Sequence, residues 1–194
     1  QARGITRLGA VGVCAGAGYM SGAVASDASI QAFGAVAGFY HDAAKQKEWM
    51  GDGFEPALAR AIEERKRFEA TGECSHIPAV GEGEVAMPLK EAFEYYGTER
   101  GAVANYTNSF AVMSKEHTLT WDAQGQAAKI AQPTLLVHSE KALAPALARS
   151  FYAALAGPKE EIWVDSKGQI DFYDDPAIIA PVADHLAAHF ERHL

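Results

Sequence analysis

Cys14 stands in the run Gly12-Val13-Cys14-Ala15-Gly16, a nucleophile with glycine two residues away on each side. The spacing has a chemical reason. A side chain at the tip of a sharp strand-to-helix turn projects clear of the backbone, and small neighbours two positions away let the chains pass. A thiol there meets the free N–H groups and positive dipole end of a helix, which favour the thiolate. A thiolate in that setting attacks electrophilic carbon, so the pattern points to acyl-group chemistry. The N–H of Ala15, directly after the nucleophile, would be half of an oxyanion hole. Two other readings compete. One is a buried structural cysteine in a Gly-rich turn. The other is a phosphate-cradling glycine loop, but the GKS/GKT ending is absent and Gly12, Gly16 and Gly18 do not fit G-x-G-x-x-G.

A cysteine nucleophile gains from a basic neighbour. His41 follows the apolar run Ile30 to Ala37, at the edge where open α/β sheets hold their sites. It is a candidate proton acceptor or ligand; the competing reading is a structural hydrogen-bonding histidine. Asp42 beside it reads as a helix cap. His138 also ends an apolar run, and reads as structural or functional. His185, His189 and His193 fall at i, i+4 and i+8 near the C-terminus. They share one helix face, but no carboxylate completes a metal site, so they read as a surface row. His76 and His117 have no partner pattern. No metal and no cofactor are expected.

The elements that must position these residues alternate between strand and helix. Leu8 to Val13 fits a buried strand, and a small-residue helix spans about Tyr19 to Ala25. Ile30 to Ala37 fits a second buried strand, which makes a βαβ unit of a parallel sheet. Asp42 to about Ala70 reads as helical, with Phe54, Leu58, Ile62 and Phe68 as its apolar stripe. Thr71 to Pro88 reads as irregular, Lys90 to Tyr96 as helical and Asn105 to Trp121 as mixed. Strands are expected at Pro133 to His138 and Glu161 to Val164, and helices at Ala144 to Leu155 and Pro176 to His193. Asp165 to Asp175 reads as a loop. The expected organisation is a core over residues 1–42, a helical cap or lid over 43–130, and the rest of the core over 131–194.

The 194 residues are 48% hydrophobic and 22% charged, ordinary for a globular domain. A formal net charge of −8 argues against a nucleic-acid or anionic-membrane partner, since both need clustered Lys and Arg. The basic run Arg65-Lys66-Arg67 lies among Glu63, Glu64 and Glu69 and reads as a solvated helix face. No apolar run reaches the ~18 residues of a membrane span. The two cysteines make neither a disulfide framework nor a CxxC zinc pair, so a reduced, cytoplasmic setting is the expectation. The start, Gln1-Ala2-Arg3-Gly4, lacks signal-peptide features and an initiator Met, as in a fragment or processed product.

GVCAGAGY, AVAGFYHD, PTLLVHSEKALAP and GQIDFYDDP resemble segments of bacterial α/β-hydrolases related to dienelactone hydrolases, and the resemblance spans essentially the whole chain. It implies an α/β-hydrolase fold: a mostly parallel sheet flanked by helices, with a helical cap insertion. It also implies a nucleophile–acid–histidine triad in that chain order. Cysteine nucleophiles are known in dienelactone hydrolases, which fits Cys14. Two positions depart from the pattern. Gln169 stands where such relatives carry the histidine, and an amide cannot serve as a general base. Ala142 stands where they carry the acid, leaving Glu140 as the nearest carboxylate. Relatives also carry several strands before the elbow, including the donor of the second oxyanion N–H. Here about seven residues precede the first strand, so a homodimer or a companion N-terminal fragment is expected to complete the sheet edge.

Two functions follow. The first is hydrolysis or transfer of the acyl group of a small ester, lactone or thioester through Cys14. Ala15 would stabilise the oxyanion and His41 would manage protons. Tyr19, Tyr96, Asn108 and Phe172 are candidate pocket residues, because aromatic and amide groups line sites for small, partly polar ligands. The second is a hydrolase-like protein that no longer hydrolyses and instead binds a small ligand or acts as an interaction subunit. Gln169 fits a third variant as well, in which its amide hydrogen-bonds a substrate or thiolate.

Overall fold

The computed structural model describes Gly4 and Thr6–Leu194. Residues 1–3 and 5, within the start read as lacking a leader, lie outside the described residues. In chain order the elements begin with β1 (Gly9–Val13), α1 (Ala15–Ser26) and β2 (Ala32–Val36). There follow α2 (Ala43–Met50), α3 (Phe54–Thr71), β3 (His76–Ile77), α4 (Lys90–Tyr96), β4 (Phe110–Ala111) and α5 (Lys115–Thr120). The chain then forms α6 (Gln124–Ala127), β5 (Thr134–His138), α7 (Pro145–Ala154), β6 (Lys159–Trp163), α8 (Asp171–Asp174) and α9 (Pro176–His193). One compact unit joins the chain up to Asp42 with Asp122–Leu194; the second is Ala43–Trp121.

The first unit holds a four-stranded sheet in the order β1-β2-β5-β6, parallel throughout. The two inner strands, AFGAV and TLLVH, are buried along their whole length. That is the pattern of parallel strands covered on both faces. The outer strands differ. β1 buries Ala10 and Gly12 but exposes Val11 and Val13, and β6 reads KEEIW, with alternating charge and apolar character at its end. α1 lies against the face that presents Gly12, and α9 against the opposite face, where Phe190 and Leu186 fit over Gly9 and Gly34.

Register sets what the sheet can position. Val13 lies beside Val36, Val36 beside Val137, and His138 beside Trp163. Cys14, Ala37 and His138 therefore emerge at nearly one level along the carboxyl edge, where open α/β sheets build sites. A core cluster of Val36, Ala37, Leu135, Val137, Ala142, Phe172 and Val182 lies beneath this edge.

Most elements fall within a few residues of their expected bounds, with three informative differences. α1 starts at Ala15, directly after the nucleophile, rather than near Tyr19. The final loop contains α8, one turn of helix over DFYD. In α9, Pro176 occupies the first turn and Asp175 caps it by accepting from Ala177 N–H at 2.9 Å. However, the expected surface row of histidines is broken, because His189 is only 2% exposed.

The second unit is built around α3. Phe54 and Ala61 are its buried residues, whereas Phe68, expected in the apolar stripe, is exposed. Gly72 ends the helix in the left-handed region at φ 75°, its N–H donating to Phe68 O at 2.8 Å. Arg65 joins α3 to α5 through Glu116 at 2.6 Å, and Glu64 accepts from Ser75 N and Oγ at 2.7 and 2.9 Å. β3 and β4 form a two-residue antiparallel ribbon inside segments expected to be irregular or mixed. The unit closes at Trp121, not at residue 130, because α6 packs with α1 and α7 of the sheet unit. No helix among the described residues is long and apolar enough to cross a membrane.

Candidate active site

Cys14 joins β1 to α1 with φ 53° and ψ −130°. Such backbone costs a non-glycine residue on the order of 1–3 kcal/mol and persists only where neighbours over-determine it. Three backbone hydrogen bonds do so here. Cys14 N–H donates to Val36 O at 3.1 Å, and Cys14 O accepts from Ala17 N–H at 3.0 Å and Phe39 N–H at 2.9 Å. Gly12 makes the turn passable: a Cβ there would collide with Ala17 Cα and lie 2.7 Å from Ala17 N. Gly16 is different. A Cβ on it meets nothing within 4 Å, so only one of the two flanking glycines is required for clearance. Ala15 N–H is the first of the helix and has no intrahelical carbonyl to reach, which leaves it available to an oxyanion. The Cys14 side chain is half-buried.

His41 is brought to this helix by a second glycine. A Cβ on Gly18 would strike the Phe39 carbonyl oxygen and sit 3.0 Å from His41 Nδ1, so glycine alone allows the approach. The His41 backbone is fixed from α6, its carbonyl accepting from Ala123 N–H at 2.8 Å and Gln124 N–H at 3.3 Å. The ring is 7% exposed, stacks on Tyr19 with centroids 4.9 Å apart, and meets Phe39 edge-on at 4.5 Å. Nε2 lies 3.4 Å from Tyr19 Oη, and among the described residues the buried Nδ1 has no hydrogen-bond partner of good geometry. Burial pushes the imidazole down to about 4, with the Phe39 carbonyl opposing. His41 is therefore neutral near pH 7. Tyr19, a residue of α1, is pushed above its ordinary value by burial and then by the charge of Cys14. Among the described residues no hydrogen bond links His41 directly to Cys14.

Gln169 is tied to the residue after Ala142. Gln169 is 6% exposed. Its Nε2 donates to Ala37 O at 2.8 Å and to Tyr173 Oη at 3.1 Å, and its Oε1 accepts from Leu143 N–H at 2.9 Å. Both amide donors, offered by the sequence as contacts for a substrate or thiolate, are engaged within the protein. Ala142 is buried against Ala37 and Phe172. The positions that resemble acid and histidine therefore form a neutral brace, not a charged relay. Phe172, expected to line a pocket, is a core residue. Glu140, the acid candidate, is exposed and paired with Arg149, whose guanidinium lies 3.8 Å over the Trp163 ring. This directs the Glu140 carboxylate to a surface ion pair.

His138 is fully buried, with Nδ1 2.9 Å from Ser139 O and Nε2 3.2 Å from Gly38 O. Burial lowers its pKa against the pull of the two carbonyls. A neutral ring donates to only one of them. This is a brace between β5 and the segment leaving β2. In the second unit, the Asn108 amide is used structurally, donating to Val80 O and accepting from Val80 N–H, both at 2.9 Å. Tyr96 stacks on Tyr106 with centroids 5.7 Å apart and meets Tyr95 edge-on at 4.9 Å. The positive φ at Ala37 (43°), whose carbonyl accepts from Gln169, has no signal in an apolar run such as Ile30 to Ala37. The signal that could have paired His41 with α1 was Gly18, the third glycine of the turn.

No family model matches the chain. It is 28% identical over 198 residues to the protein YcjY of Escherichia coli (strain K12), covering 97% of this chain and 65% of that protein. It is 27% identical over 203 residues to PA2218 of Pseudomonas aeruginosa, covering 97% and 53%. The chain thus spans between half and two thirds of the length of these relatives. The crystal structure of PA2218 superimposes with a TM-score of 0.74 at 24% identity, over 97% of this chain and 61% of that one. The α/β-hydrolase GrgF from Penicillium sp. sh18 superimposes with a TM-score of 0.70 at 21% identity, over 94% and 62%. With its parallel sheet, its flanking helices and its strained strand-to-helix turn, the chain has the α/β-hydrolase fold.

Proposed function

We propose that the protein hydrolyses or transfers the acyl group of a small ester, lactone or thioester, with Cys14 as nucleophile, in the manner of dienelactone-hydrolase-like enzymes. The observation that carries this reading is the strained Cys14 backbone at the mouth of α1. Strain of this kind persists where it presents a side chain for a purpose, and the Ala15 N–H stands at the same helix terminus to receive an oxyanion. Tyr19 and His41 are the proposed proton-handling pair. Neutral His41 lies within 3.4 Å of the Tyr19 hydroxyl, which in turn feels the charge on Cys14. The Ala43–Trp121 unit, inserted in the chain between β2 and β5, is the proposed cap, and Tyr96 within it is proposed to meet a small ligand. The test is alkylation and turnover. Iodoacetamide should label Cys14 stoichiometrically, and Cys14→Ser should abolish p-nitrophenyl acetate cleavage by the intact protein. Turnover unchanged in Cys14→Ser rules the reading out.

A second reading is favoured by one observation, the neutral Gln169–Ala142 brace. In it the protein keeps the fold and binds a small ligand or a partner without turnover. High turnover of a simple ester by the intact protein would exclude it.

A further inference from the structure

The brace at Gln169 bears on what can take an acyl group away from Cys14. A hydrolase must remove a proton from water as it attacks, and the base for that stands where the acid and histidine loops meet. Here those loops meet at Ala142 and Gln169. The Gln169 amide has both donors occupied by Ala37 O and Tyr173 Oη, and its oxygen receives Leu143 N–H. Ala142 is buried among apolar side chains. Glu140, in the loop after β5, is held by Arg149 at the surface, and Asp171 accepts from Lys167 N–H. Among the described residues no group at that junction can accept a proton, and His41 on the α1 side of Cys14, pushed down to about 4 by burial, is a weak base toward water.

An acceptor that arrives already ionised has no need of one. Bulk water has a pKa of ~15.7, so it reacts well only when a base or metal deprotonates it. An aliphatic thiol has a pKa of ~8.5 and is a few per cent thiolate at pH 7 without help. The retained parts of the site suit that chemistry: a thiol nucleophile at a helix N-terminus and an N–H directed at a developing oxyanion.

We infer that the acyl acceptor at Cys14 is an aliphatic thiol rather than water, so that the protein exchanges acyl groups between thiols. The inference rests on Cys14 being the nucleophile. In the first step the Cys14 thiolate attacks the carbonyl carbon of a thioester. The new C–S bond forms, the old one breaks, and the departing thiolate takes a proton from solution equal to the one Cys14 released. In the second step an incoming thiolate attacks the acyl-Cys14 carbonyl, the C–S bond to Cys14 breaks, and the Cys14 thiolate is restored. One thiol enters and one leaves, with no net oxidation and no net proton change.

The experiment separates this inference from the reading beneath it. The intact protein is acetylated with p-nitrophenyl acetate, and acetyl-Cys14 is followed by intact mass, with Cys14→Ala as control. The adduct is then chased in buffer with and without N-acetylcysteamine, alongside free S-acetyl-N-acetylcysteine. The expected result is thiol exchange faster on the protein than on the free thioester, with a thiolysis-to-hydrolysis ratio at least as high. The double variant Ala142→Asp/Gln169→His should lower that ratio by ~100-fold or more, the lower end of what one general base supplies. A wild-type ratio tenfold below that of the free thioester, or thiol exchange no faster than on it, overturns the inference while leaving Cys14 as nucleophile. Failure of wild-type protein to form any adduct at Cys14 overturns both.

Discussion

Gln169 Nε2 donates to the Ala37 carbonyl at 2.8 Å, one residue beyond the Val36 carbonyl that accepts from Cys14 N–H. The side chain that resembles a catalytic histidine by position is thus a tie to the backbone that holds the elbow. Gln169→Ala removes this bond and leaves the buried Ala37 O and Leu143 N–H without partners. An unsatisfied buried group costs about 1–3 kcal/mol. The variant should lose stability on that scale in urea unfolding, with little change in the denaturant slope. Gln169→Glu, which places a carboxylate facing the Ala37 carbonyl, should lose more.

The two flanking glycines make a contrast that composition cannot. Gly12→Ala sets a methyl against the Ala17 backbone. Backbone cannot move aside as a flexible side chain can, so this variant should be poorly folded and lose Cys14 labelling. Gly16→Ala meets open space, and alanine is a better helix former than glycine by ~1 kcal/mol. It should keep its labelling and melt at the same temperature or higher. Circular dichroism melts with parallel alkylation check both.

Replacing Cys14 by glycine should separate strain from chemistry. At φ 53° and ψ −130° glycine pays little of the penalty borne by cysteine. Cys14→Gly should therefore be more stable than the parent by about 1 kcal/mol while losing all acylation. Equal or lower stability in thermal melts would remove strain from the account of the elbow.

The pH dependence follows from His41. Its pKa is near 4 in the folded protein and ~6.5 when unfolded, so the unfolded chain binds the proton more tightly. Stability is then fully present above about pH 6.5 and declines as pH falls toward 4. His138 and His189 are lowered in the same direction by burial and add to the loss. The difference in unfolding free energy between pH 7 and pH 5 should shrink in His41→Gln. An unchanged difference would show that the ring is not held neutral.

Glu140 provides a negative control. Both it and Arg149 are more than half exposed, and exposed pairs contribute about 0–1 kcal/mol. Glu140→Gln should leave stability nearly unchanged and should not lower p-nitrophenyl acetate turnover. A marked loss of turnover would place Glu140 in the chemistry and redirect attention to the loop after β5.

The architecture was legible because its signals are local. LGAVGV, IQAFGAVA and PTLLVH are apolar runs of strand length bounded by breakers, and Pro176 with the apolar spacing behind it marks a helix start. Their alternation yields a parallel sheet, and Gly12 before Cys14 yields the elbow. Within the same segments the finer readings diverged. His189 shares a helix face with exposed His185, yet it is buried. Helical spacing says which residues lie together, not which neighbour covers them.

The sequence by itself determined the strand–turn–helix around Cys14, since apolar run, glycine and small-residue helix are contiguous and their sterics act over a few bonds. It also determined that no histidine stands at position 169. What Gln169 does instead was decided by the tertiary structure, because Ala37 lies 132 residues away in the chain. A buried amide must satisfy its hydrogen bonds, and only the closed sheet sets Ala37, Leu143 and Tyr173 around it. The same holds for His41, whose neutrality depends on the burial that Gly18, Phe39 and α6 impose together.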